Sequence, residues 1–218
     1  YLWMNGLTYK LKPVKNTTPD GGMDFDLMSA NILAENVNPV KTPQPGYLYR
    51  NLNRSDVYYD ENVQRMVQNY RFNYMKLAQY SMSTRNDREK AKEIFKIMEK
   101  TIPIGVIPMQ DWRISSYFMT IFNQLGDTSL FNLYSKSVET SALEAIGNNT
   151  TDTQDPFMPY RTLLDVYDAR KDYAASIDLL QRALIKFPTG AQEIKTRIQF
   201  YEQQLKSPAA KIDSGKPK

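Results

Sequence analysis

Asp24-Phe25-Asp26 sets two carboxylates at the D-x-D spacing that holds a divalent metal in some nucleotide-sugar transferases. Two such groups converge from a strand or a turn, whereas on a helix positions i and i+2 diverge. A helix is predicted to begin near Met23, and acids there favour the positive end of its dipole, so a structural role is expected for both. Asp56, Asp60 and Glu61 form a second acidic cluster beside Tyr58 and Tyr59. Glycosidases need two carboxylates across a cleft, which sequence neighbours rarely supply; Asp60 is expected to cap a helix starting at Glu61. The chain has no Cys and no His. That excludes thiolate and imidazole metal sites, Cys nucleophiles and the Ser-His-Asp arrangement, and removes the commonest general base near neutral pH. Tyr80, Trp112 and Tyr134 could stack on sugar faces, but core packing is the expectation for each. No catalytic residue, cofactor or metal site is assigned.

The elements that carry these residues are those of a helical chain. Its 218 residues are 41% hydrophobic with 15 tyrosines, a mix that suits helices in one layer, where much surface stays near water. No apolar run approaches the length of a membrane span. The opening YLWMNGLTYKL lacks a basic-then-apolar leader and begins with Tyr1, so an excised domain is expected. The net charge is +4. Three of those charges fall in the tail, where Lys206, Lys211, Lys216 and Lys218 face Asp213. The body shows no clustered Lys and Arg, and nucleic acid is rejected as a partner.

Residues 1–60 read as an irregular segment. Leu7, Tyr9 and Leu11 alternate with polar residues as a short half-buried strand. A turn at Pro19-Asp20-Gly21-Gly22 precedes a helix over about 23–36, and Pro39, Pro43, Pro45 and Gly46 predict an extended passage. Residues 61–205 carry helical periodicity. Tyr160, Leu163, Leu164 and Tyr167 share one face; Asp172 caps a second helix, in which Ser176, Leu180 and Ala183 alternate small, large, small before Pro188. This unit resembles a tetratricopeptide (TPR) repeat, with Ser176 in place of the usual Ala.

A second unit keeps the register. Asp87 precedes Ala91, Phe95, Met98 and Pro103 at the same offsets, its first helix contributes Met75, Ala78 and Met82, and Asn86 with Glu89 suggests a capping box. A weaker unit pairs a helix over 112–125 with one over about 130–146 through Gly126-Asp127; Phe131 stands where a small residue is expected, so this pair must splay or shift. The capping aspartates lie 40 and 45 residues apart, against roughly 34 in a contiguous array, and stretches over 103–108 and 147–156 read as linkers. Thr189 and Gln192 suggest a capping box for a last helix with Ile194, Ile198, Tyr201 and Leu205 on one face, covering the open end of the array. Residues 206–218 read as a disordered tail. The expected fold class is all-α (mostly), a TPR-like antiparallel helix-pair array with an irregular N-terminal segment containing a short strand.

Gly6-Leu7-Thr8-Tyr9-Lys10-Leu11 with Pro13-Val14-Lys15, and Val57-Tyr58-Tyr59-Asp60-Glu61-Asn62 followed by Arg65-Met66, Asn69-Tyr70-Arg71 and Leu77-Ala78, carry a further resemblance. Over essentially residues 1–145 the chain resembles the region after the membrane spans in the bacterial protein O-mannosyltransferase-like glycosyltransferases, a family of polytopic membrane proteins long listed as a domain of unknown function. The resemblance implies a periplasmic helical appendage to missing N-terminal spans that hold the sugar-transfer chemistry. No catalytic residue carries over. In TPR arrays the first helix of each pair lines the concave face, which here offers Asn73, Lys76 and Tyr80, then Arg161, Asp165 and Asp168. Such a face suits a protein or peptide partner, or the parent's own membrane domain. The expected function is therefore a non-catalytic interaction domain; the alternatives are a carboxylate-based carbohydrate enzyme domain and a rigid structural cap.

Overall fold

A computed structural model describes residues 1–15, 17, 22–34, 46–148 and 155–206. The expected turn at 19–21, the proline-rich passage over 35–45, most of the 147–156 linker and the tail from 207 lie outside the described residues. The protein is mostly helical, with one two-stranded sheet among the described residues. It divides into two compact units, residues 1–109 with 120–131, and residues 110–119 with 132–218.

In the first unit β1 (Leu2–Met4) pairs antiparallel with β2 (Tyr9–Leu11). The strand read as half-buried is in fact exposed, because β2 ends a two-stranded hairpin: Tyr9 and Leu11 are 53% and 74% exposed, and Leu7 sits in the turn. Met4 of β1 points into the core and makes a parallel bridge to Met23. The helix predicted over 23–36 is α1 (Phe25–Ile32), capped by Asp24 through the Leu27 N–H. Tyr49 and Tyr74 both donate to the Ile32 carbonyl and so close its C-terminal end. A side chain at Gly6, at φ +135°, would be strained and would have to displace the Tyr47 hydroxyl that accepts the Leu7 N–H.

α2 (Glu61–Ser83) begins as expected at Asp60, whose carboxylate accepts the Val63 N–H. It pairs with α3 (Arg88–Thr101) over a core of Leu77, Ala78, Ala91, Ile94, Phe95 and Met98. The cap of α3 is Asp87, through the Lys90 N–H. The capping box read at Asn86 and Glu89 does not form: Asn86 takes the left-handed conformation (φ 51°) that turns the chain, and Glu89 pairs with Lys92.

The stretch over 103–108, read as a linker, is packed. Ile104, Ile107 and Met109 are buried. Arg71, wholly buried on α2, donates to the carbonyls of Ile102 and Ile107 at 3.1 and 2.5 Å and to Gln68 Oε1 at 3.0 Å. Ile102 is the C-cap of α3, where carbonyls lack helical partners and a cation meets the negative dipole end.

α4 (Trp112–Leu125) and α5 (Thr128–Gly147) follow, joined by Gly126 at φ 72° and by Asp127, which caps α5 through the Leu130 N–H. In the second unit α6 (Met158–Arg170) and α7 (Tyr173–Lys186) form the clearest pair. Tyr160, Leu163, Leu164 and Tyr167 are buried on α6, and Ser176, Leu180 and Ala183 are wholly buried on α7. Asp172 caps α7 as predicted. A 3-10 turn at Pro188–Gly190, not the capping box read at Thr189 and Gln192, leads into α8 (Ala191–Lys206). α8 packs on α7 with Ile194 and Tyr201 buried; Leu205, expected on the same face, is 42% exposed because the helix outruns its neighbour's cover.

Two substitutions test this core. Leu180→Ala should cost about 2–5 kcal/mol, read as a lowered urea midpoint. Arg71→Met strands two buried carbonyls and should cost on the order of 3 kcal/mol, while Arg71→Lys, which restores one donor, should recover part of it. An unchanged midpoint in either series would remove the residue from the core.

Candidate functional site

The outward face of α2 is a stripe. Met66, Asn69, Asn73, Lys76, Tyr80 and Ser83 recur three and four residues apart, opposite the face that buries Arg71, Tyr74 and Ala78. Two depressions of the first unit lie along this stripe, about 720 and about 610 Å³ in volume. Lys76, Met4 and Tyr9 line both, so the two meet at Lys76. One wall is α2 and another is the N-terminal hairpin with Met23. Arg88 of α3 and Ile121 and Gln124 of α4 close the larger depression.

The charges here have one sign. Among the described residues, Lys76 and Arg88 are the only ionisable groups lining either depression apart from tyrosine hydroxyls, and no carboxylate lines them. Lys76 is half-buried, and its ammonium lies 3.6 Å from Met4 Sδ, a weak acceptor. Arg88 donates to the Gln124 carbonyl. The chemistry this geometry offers is capture of an anion between apolar walls.

The predicted residues divide by unit. In the first, Lys76 lines both depressions and Tyr80 the larger, its ring stacked on Phe25 at 5.2 Å. Asn73 is only 3% exposed and forms wall, not contact surface. In the second, Arg161 pairs with Asp155 at 3.3 Å. Burial and the neighbouring Asp168 charge raise the Asp165 carboxyl above its ordinary range. Asp168 accepts from the Tyr201 hydroxyl at 2.9 Å, and burial together with that bond pushes Tyr201 up to about 12. Asp168 thus fastens α8 onto α6. Met4, Tyr9, Gln79 and Arg88 escaped sequence reading. The α2 spacing could have exposed Gln79, but nothing in the sequence marks the two hairpin residues or the first residue of α3.

The acidic candidates do not converge. Asp24 caps α1 and meets Lys12 at 2.8 Å, while Asp26 is 92% exposed at its side chain and faces Arg85 at 3.6 Å. Asp56 is held by Arg54, and Asp60 is the α2 cap. Among the described residues no group of three or more Asp, Glu, His or Cys is placed to hold a metal ion, and no helix is long and apolar enough to cross a membrane. Of the aromatics expected in the core, Trp112 is buried and Tyr134, also buried, stacks on Phe118 at 5.6 Å, whereas Tyr80 is half-buried and lines the larger depression.

No family model, curated protein or solved structure matches the chain.

The Lys12 hydrogen bond holds the Asp24 carboxyl below its ordinary 3.8. The stability it supplies is complete above 3.8 and is lost as pH falls through the depressed folded value. Asn also caps helices, so Asp24→Asn should cost less than about 1 kcal/mol at neutral pH. That difference should vanish in acid-titrated denaturation curves below the depressed value. A gap that persists or grows there would contradict this role.

Proposed function

We propose that this chain is a non-catalytic helical-repeat interaction domain, TPR-like in its helix pairs, that docks a protein or peptide on the outward face of its first helices. In this reading it is the periplasmic, C-terminal part of a membrane protein of the O-mannosyltransferase-like glycosyltransferase kind, joined to its spans at the N-terminus. The observation that carries the docking function is the groove along α2. It is walled by Met4, Met23, Met82 and Ile121, and its charged lining is cationic throughout. Apolar walls with a few convergent polar groups are what a binding cleft needs. The link to a membrane glycosyltransferase rests on the motifs at residues 6–15 and 57–78.

A second reading, a rigid cap on the parent's membrane domain, is favoured by the exposed apolar residues of the hairpin region: Leu2 at 55%, Leu11 at 74% and Val14 at 62%. Pull-down from a membrane lysate separates the two. Lys76→Glu, and separately Arg161→Glu with Asp165→Lys, should each reduce recovery of bound protein, by about tenfold for a contact that is desolvated on binding, while the thermal midpoint stays nearly unchanged. Asp24→Asn with Asp26→Asn should leave capture intact. Indifference to all three changes would favour the cap. Loss of sugar transfer by the intact parent on changing Asp24 and Asp26, without unfolding, would overturn the interaction reading in favour of a carboxylate-based enzyme.

A further inference from the structure

The groove on α2 has a chemistry that narrows its occupant. Lys76 is half-buried, and among the described residues its ammonium makes no ion pair; its one neighbour of note is the Met4 thioether. Thioether sulfur is a weak acceptor, so the cation that lines both depressions has no strong partner there. A carboxylate in that position would form a charge-assisted bond, about twice as strong as a neutral one. The remaining polar lining is neutral: Gln79, Ser83, Asn86 and Gln124 offer amides and hydroxyls, and Arg88 adds the second cation. Met4, Met23 and Met82 supply flexible thioether side chains that adapt to apolar groups of varied shape. Residues 1–15 add Lys10 and Lys15 and no acid, Lys12 being neutralised by its ion pair with Asp24.

We infer that the α2 groove binds an extended acidic peptide, seating an Asp or Glu against Lys76 and Arg88 and an adjacent long apolar side chain among the methionines. This rests on the interaction-domain reading and names the partner's chemistry. The smaller depression continues the same helix face toward Met66, and the stripe from Met66 to Ser83 runs about 25 Å at 1.5 Å per residue. That length accommodates about seven extended residues, so one peptide can reach both depressions.

The test is selection of a phage-displayed random dodecapeptide library on the 218-residue chain, followed by fluorescence polarisation with the selected peptides. Enrichment of Asp or Glu beside Met, Leu or Phe is expected. Arg88→Glu, at an exposed position, should weaken those peptides by about tenfold with an unchanged melting curve, and Lys76→Glu with Arg88→Glu should shift the selection to basic peptides. Affinity should also fall as salt rises. Enrichment of neutral or basic peptides that still compete at Gln79 and Tyr80 overturns the acidic partner and leaves the interaction domain standing. No enrichment of any peptide overturns both. Sodium oleate binding that depends on Lys76, with no peptide enriched, overturns the peptide in favour of a lipid anion.

Discussion

A single buried cation organises the first unit. Arg71 sits wholly inside, and the two terminal nitrogens of its guanidinium donate to the carbonyls of Ile102 and Ile107 and to the amide oxygen of Gln68, while Nε is buried without a hydrogen-bond acceptor. Taking a guanidinium out of water is costly unless its donors are satisfied, and the C-terminal end of α3 offers carbonyls that no helix bond consumes. The outcome fixes the α3 exit against α2 and turns the stretch over 103–108 into a packed layer. Because α2 commits its inward face to this contact and to the α3 pairing, its outward stripe is left to the hairpin and the groove.

The helix pairs share one device for reversing direction. A residue in the left-handed conformation (Asn86, Gly126, Lys171) is followed by an aspartate whose backbone N–H reaches back to the preceding helix and whose side chain caps the next. The interior varies more than the turns. In α3 and α7 the eighth position after the aspartate is the large Phe95 or Leu180 and the fourth is the small Ala91 or Ser176. α5 inverts the sizes, with Phe131 fourth and Ser135 eighth. Ser135 is nonetheless wholly buried, because Arg170 of α6 reaches its hydroxyl at 2.7 Å while also binding Glu139 at 2.6 Å. A hydrogen-bonded arginine thus occupies space that a large apolar side chain fills elsewhere.

The legible parts of the fold are those governed by local rules. Asp60, Asp87, Asp127 and Asp172 announce helix starts because an N-cap acts within three residues, and Ser176, Leu180 and Ala183 announce a buried face because their spacing is helical. Contacts between distant segments leave no such trace. Nothing local marks Arg71 for burial until α3 and its exit come within reach, and the Pro103–Pro108 stretch reads as a linker for the same reason. Asn73 shares the α2 stripe by spacing, yet the stripe's depth at each position depends on the hairpin that covers it. Half of the groove is therefore legible, the α2 half, while Met4, Tyr9 and Arg88 arrive from elements whose placement no periodicity predicts.

The central claim, that the α2 face is a docking surface and not scaffold, is tested most directly by photo-cross-linking from position 79. A benzophenone side chain there lies in the groove, and one at position 185, where Ile185 is 86% exposed on α7, serves as reference. In cells making the full protein, position 79 should yield an adduct whose partner peptide, mapped by mass spectrometry, carries an acid next to an apolar side chain, and Lys76→Glu should abolish it. Adducts from position 79 that match those from position 185, or that survive the charge reversal, would contradict the account.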